Sequence, residues 1–181
     1  MDLIFEITHS LKTTFLVNPS WQIIWIIAFF LSIYNFLYCR DRKFIIVTAI
    51  ASLFWWVHFF LIWAITAAFI NFFDISKNIA SLKWERKKSW MLVFIWIYVV
   101  IWFFTYENYY SLLPTFSAIF STYLVFMTRW IKMKAWFLIV VLAWFIYNIY
   151  FWSIWGILTD VSLAIAWIIW IIKDLKNDKK A

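Results

Sequence analysis

The apolar run at residues 44–73, with His58 at its centre, constrains the fold of this chain more than any other stretch. Its 30 residues would form one helix of about 45 Å, whereas a bilayer core is about 30 Å thick and each span needs about 20 residues. Arg40, Arg42 and Lys43 precede the run, and a second basic cluster follows it at residues 86–88. Positive clusters favour the cytoplasmic side. The run therefore predicts a hairpin of two spans, the second continuing to about residue 84.

The composition predicts an integral membrane protein. Hydrophobic residues make up 67% of the chain and charged residues 14%, which a water-soluble domain of this size does not match. The net charge is +7, but the basic residues stand in short clusters between apolar spans, where they orient the chain. We therefore expect membrane lipids as partners and no nucleic acid.

The same reasoning along the chain predicts an all-α protein with seven transmembrane helices. Its spans cover about residues 21–38, two within 44–84, 90–105, 111–128, and two within 135–172 that turn near 152–156. With the N-terminus outside and the C-terminus cytoplasmic, every one of the 16 basic residues except Lys12 falls inside. The implied localisation is a plasma membrane, crossed several times.

Sliding the chain by 90 positions places its halves on each other: Arg42 falls on Lys132, His58 on Asn148, and Asp74 on Ala164. The span order fits two parallel three-helix repeats with a linker helix, as in transporters of the SWEET type. His58 and Asn148 would then lie at equal depth and face each other across a central cavity.

The predicted organisation has five parts. They are an interfacial N-terminal helix at 1–18, a first repeat with its inner segment at 19–88, a linker helix at 89–106, a second repeat at 107–172, and a cytoplasmic tail at 173–181.

Several short motifs resemble one family. They are Arg40-Asp41 with Lys43, His58-Phe59-Phe60-Leu61, Leu112-Leu113-Pro114, Trp144 with Asn148, and Ser153 with Gly156. Together they resemble the YgjV-like bacterial inner-membrane proteins over about residues 21–176. The span pattern is similar to the SWEET and PnuC transporters, so the resemblance implies an inner-membrane location and, by architecture, a transport role.

His58 and Asp74 are the ionisable candidates within the predicted spans. An imidazole there can bind a proton or a polar solute, and the alternative is a core histidine bonded to a carbonyl or to Asn148. Asp74 is a candidate proton or cation site, and the alternative is that Lys77 neutralises it from the same helical face.

Two amides and two indoles complete the predicted substrate-binding set with His58. Asn71 and Asn148 can bind a solute or form hydrogen bonds between helices. Trp55 and Trp144 can form the floor of a cavity, or they can pack against other helices or lipid. No nucleophile with a base, metal-type cluster or phosphate loop is recognisable, so we expect no enzyme, metal or cofactor.

Two functions remain open from the sequence. The first is a small-molecule transporter or facilitator with a central site for a small polar solute between two helix repeats. The alternative is a non-catalytic structural or accessory subunit of a larger inner-membrane complex, which binds lipid and partner helices or forms a homo-oligomer. Scarce Gly and Pro favour the alternative, because moving helices use them at hinges and breaks.

Overall fold

A computed structural model describes residues 19–39, 41–106, 108–128, 130–151 and 153–178. These ranges contain seven α-helices, one 3₁₀ turn at Tyr109–Ser111 and no β-strand. The helices are α1 (Pro19–Tyr38), α2 (Asp41–Leu61), α3 (Ile65–Lys83), α4 (Lys88–Thr105), α5 (Leu112–Met127), α6 (Trp130–Tyr150) and α7 (Ile154–Asp178). Pro19 and Pro114 lie in first turns, where a missing backbone N–H costs little.

The all-helical prediction is confirmed, and the run at 44–73 divides into α2 and α3. Helix α7 continues to Asp178, and the cytoplasmic location of the tail from residue 173 stays a prediction. The predicted interfacial helix at 1–18 lies outside the described residues.

Among the described residues, four helical stretches are long and apolar enough to cross a membrane: Arg42–Leu61, Lys88–Thr105, Tyr109–Met127 and Lys132–Tyr150. Ile23–Tyr38 and Ile154–Trp170 are apolar but shorter. Large apolar side chains face outward, among them Phe103 and Phe104, while many asparagines, serines and threonines are buried. This distribution reverses that of a water-soluble protein and brings the outer surface into contact with lipid.

The turn between α2 and α3 is a Schellman motif with a tryptophan at its left-handed position. The Ala64 N–H donates to the Phe59 carbonyl at 3.0 Å, and the Trp63 N–H donates to the Phe60 carbonyl at 3.2 Å. Trp63 has φ 59°, a conformation that favours glycine. The turn therefore carries local backbone strain of about 1 kcal/mol.

The two long hairpins of the chain match at an offset of 89 residues. Helices α2 and α6 begin at Asp41 and Trp130 and end at Leu61 and Tyr150. The turn bond of Ala64 also has its counterpart, since the Ser153 N–H donates to the Asn148 carbonyl at 2.9 Å. The predicted offset of 90 is therefore wrong by one residue, and His58 corresponds to Tyr147 rather than to Asn148.

Six of the helices form a closed ring. Each contacts the next in the order α1, α2, α3, α5, α6, α7, and α7 contacts α1. Helix α4 lies outside, against α3 and α5. It buries a single stripe, Phe94, Tyr98 and Ile101, whose spacing is that of one helical face. The space inside the ring is therefore bounded by six helices.

Candidate functional site

A cavity of about 140 Å³ lies inside the ring. Every ring helix contributes to its wall, for example through Asn35, Trp55, Asp74, Ser121, Trp144 and Asp160. The wall combines large aromatic rings with amides, hydroxyls and charged groups. Small-molecule sites in proteins have this character, apolar for the most part with a few placed polar groups.

Five of the six residues singled out from the sequence line this cavity: Trp55, Asn71, Asp74, Trp144 and Asn148. The sixth, His58, does not belong to its wall. Their roles as ligands of a solute or ion stay predictions, but the structure brings the five to one place.

His58, near the end of α2, lies behind the cavity wall. Its side chain contacts the turn between α6 and α7. Its Nε2 is 3.4 Å from the Ser153 Oγ. The same Oγ accepts the Gly156 backbone N–H at 3.3 Å. The imidazole packs edge-on against Trp55, with ring centroids 5.4 Å apart. His58 and Asn148 therefore do not face each other across the cavity, because His58 joins the two hairpin turns instead.

Asp74 and Lys77 form an ion pair one turn apart on α3. The Lys77 Nζ lies 2.6 Å from the Asp74 Oδ1 and donates to the Ser121 Oγ of α5 at 2.9 Å. The hydroxyl of Tyr98 on α4 donates to the same carboxylate oxygen at 2.5 Å. The group expected as a proton or cation site is thus held by an internal cation, and the pair connects three helices.

Asp160 on α7 is a second carboxylate on the cavity wall, and the sequence reasoning passed over it. It is 7% exposed, and its Oδ2 accepts the Asn148 Nδ2 at 2.8 Å. The sequence could have indicated Asp160, because it is an acidic residue within the predicted spans of 135–172. Asp74 was selected on the same ground, that an ionisable residue within a span is a candidate functional group. Asn148, expected to face His58, instead orients this carboxylate.

The chain's one glycine supports this arrangement. Gly156 lies on α7 directly beside Asn148, and a Cβ at this position would overlap the Asn148 Cγ and Oδ1. The close approach of α7 to α6 therefore requires the absence of a side chain at 156.

Several buried polar atoms on the cavity wall have no hydrogen-bond partner among the described residues. They include the Oδ1 of Asn35, the Oδ1 of Asn148, both amide atoms of Asn78 and the Oγ of Ser117. Buried polar groups are normally paired, because an unpaired one loses its hydration without compensation. Residues of the wall thus carry buried acceptors and donors that are unpartnered among the described residues.

Aromatic rings form a continuous row beside these polar groups. The Phe59 ring lies 5.8 Å from that of Trp55 and stacks on that of Trp144 at 5.3 Å. Because Trp144 precedes Asn148 by one helical turn on α6, the row ends next to the Asp160–Asn148 pair.

No curated protein and no solved structure gives a significant match. A family model described as bacterial inner membrane protein, Imp-YgjV, matches residues 20–178, which covers nearly all of the chain. The predicted resemblance and the inner-membrane localisation are confirmed, and the protein belongs to the Imp-YgjV family of bacterial inner membrane proteins.

Proposed function

We propose that this protein is a transporter or facilitator that carries a small polar solute through the cavity inside its helix ring. The observation that carries the proposal is the cavity itself, which is bounded by all six ring helices and carries unpartnered buried polar atoms among the described residues. A purely structural bundle would gain stability by filling such a space with apolar side chains.

The architecture supports this function through an internal two-fold correspondence. Exchanging α1, α2 and α3 with α5, α6 and α7 leaves the order of contacts around the ring unchanged. Cavity-wall residues match at the same offset of 89, among them Ser32 with Ser121, Trp55 with Trp144, and Asn71 with Asp160. These correspondences favour two parallel three-helix repeats with α4 as linker, a design in which one repeat rocks against the other around a central site.

The test is solute flux through purified protein in liposomes. Stopped-flow light scattering after an osmotic step reports the entry of glycerol, xylitol or choline chloride. Ala51 lies on the cavity wall, and Ala51→Phe places a ring in the cavity. Ile50→Phe, its neighbour on the outer surface, is the matched control. We expect flux of at least one solute, lost in Ala51→Phe and retained in Ile50→Phe; equal flux in both variants, or none with wild type, contradicts the proposal.

An accessory role is the second candidate, and the outer face of α4 favours it. Trp96, Phe103 and Phe104 on this helix are 67%, 71% and 80% exposed, which suits partner helices as well as lipid. Copurification of a stoichiometric membrane partner that is lost on Phe103→Ser with Phe104→Ser, together with absent flux, would favour this role.

A further inference from the structure

We propose that the cavity binds a small organic cation, an ammonium compound whose charge lies against Asp160 and the aromatic row of Trp55, Phe59 and Trp144. This inference deepens the proposed transport function by naming the solute class, and as a statement about transport it rests on that function. It begins from the charges on the cavity wall.

The wall carries two carboxylates and one ammonium group. Lys77 pairs with Asp74 at 2.6 Å, whereas the hydrogen-bond partner of Asp160 is the neutral amide of Asn148. Within the described part of the chain, no salt bridge reaches Asp160. The buried Lys134 is too distant, since it precedes Asn148 on α6 by 14 positions, about 21 Å along the axis. The ionised wall therefore has one negative charge in excess.

A carboxylate removed from water is stabilised by a cation that enters beside it. Asn148 prepares the site for such a cation, because its Nδ2 donates to one carboxylate oxygen of Asp160 and so fixes the orientation of that side chain. The Asn148 side chain is itself only 3% exposed, which keeps this contact away from water.

The aromatic row distinguishes an organic cation from a metal ion. Hard cations such as calcium require several oxygen ligands around them, whereas the residues that line this cavity include Trp55, Phe59 and Trp144. Ring faces attract ammonium groups, and aromatic enclosures are the usual recognition device for methylated ones. The ring of Trp144 stands one turn from Asn148, so one solute can contact both.

The cavity volume limits the size of the solute. About 140 Å³ is close to the roughly 150 Å³ of an engineered protein cavity that holds one benzene molecule. A solute of about six to eight non-hydrogen atoms fits. An ammonium compound matches both the charge of the wall and its aromatic rings, and choline is a probe of this size.

Binding of choline to purified protein in lipid nanodiscs tests the inference, measured by calorimetry or tryptophan fluorescence. The control ligand is 3,3-dimethyl-1-butanol, which has the shape of choline without its charge. We expect choline to bind at least about tenfold more tightly than the alcohol. Equal affinities, or no binding of choline, overturn the inference.

Variants locate the site. Asp160→Asn preserves the shape of the side chain and an oxygen that can accept the Asn148 Nδ2. It is expected to weaken choline binding about tenfold or more and to leave the affinity for the alcohol unchanged. Trp144→Leu is expected to weaken choline about fivefold and serves if Asp160→Asn does not fold. Ser162→Ala, also on α7 but outside the wall, is the control. Unchanged choline affinity in folded Asp160→Asn, or in Trp144→Leu, overturns the inference.

Flux measurements separate this inference from the proposed function. Choline bound without uptake into liposomes contradicts transport but leaves the cation site. Uptake of xylitol or glycerol without choline binding leaves transport and overturns the cation site. Solute uptake coupled to acidification of the liposome lumen, lost in Asp160→Asn and without choline binding, assigns Asp160 to protons and also overturns the inference.

Discussion

Removing the positive charge of Lys77 is predicted to destabilise the helix ring strongly. Lys77 and Asp74 are 2% and 16% exposed in their side chains, and their charged atoms are 2.6 Å apart. Breaking a buried ion pair by removing one partner typically costs about 3–5 kcal/mol, because the other charge is left buried. Asp74 retains the Tyr98 hydroxyl. We therefore expect Lys77→Met to cost about 3 kcal/mol, the lower end of that range.

The double variant Asp74→Asn with Lys77→Met tests the reasoning. The amide oxygen that replaces the carboxylate would still accept the Tyr98 hydroxyl, and the pair would leave no buried charge behind. Replacing a buried pair by neutral groups is often close to neutral, so we expect the double variant within about 1 kcal/mol of wild type. The two substitutions should then show a coupling of about 2 kcal/mol or more.

Reversible unfolding in mixed detergent–SDS micelles, followed by far-UV circular dichroism, measures these differences. Lys83→Met is the matched control, because Lys83 lies on the same helix and is exposed; its expected effect is below about 0.5 kcal/mol. Strictly additive single substitutions, or a Lys77→Met protein as stable as the control, would refute the assignment of Lys77 as the counter-ion of a buried carboxylate.

Two further predictions concern close packing and backbone strain. Gly156→Ala should lower the free energy of unfolding by about 1–2 kcal/mol, because the added Cβ would overlap Asn148 and this overpacking outweighs the gain in helix propensity. In an Asn148→Ala background, the same unfolding assay should show no loss of stability from Gly156→Ala. A loss that persists there would contradict the overlap as the cause. Trp63→Gly should stabilise by about 1 kcal/mol by relieving φ 59°. Arg86→Gly, at φ 61°, should behave alike, and destabilisation of both variants in thermal unfolding would contradict the strain.

Helix positions could be predicted from the sequence because apolar length and basic clusters act locally. The long run was divided correctly since both of its flanks are positive, and charge counting needs no knowledge of helix rotation. Five of the six candidate residues proved to line one cavity, because polar groups in spans face the bundle interior.

Helix rotation and cross-chain contacts could not be predicted. The spans are apolar on all sides, so their sequences carry little periodic signal for which face turns inward. A register error of one residue then rotates a side chain by about 100°, which is why His58 was paired with Asn148. Lys134 shows that contacts between distant parts of the chain cannot be read from the sequence. It was counted with the basic residues on the cytoplasmic side, but it is fully buried, and its Nζ lies near the rings of Phe36 and Phe44.

The partners of the two carboxylates on the cavity wall also bear on the order in which the chain is made. Asp74 bonds to Lys77 on its own helix and to Tyr98 on the next one synthesised. Asp160 bonds to Asn148 on the helix made just before it. A membrane-inserted chain emerges from its N-terminus, and an acidic side chain exposed to lipid is costly. Each carboxylate thus finds its partners on its own helix or on a helix adjacent in the sequence. Neither has to remain unpaired in lipid until the other half of the ring has been synthesised.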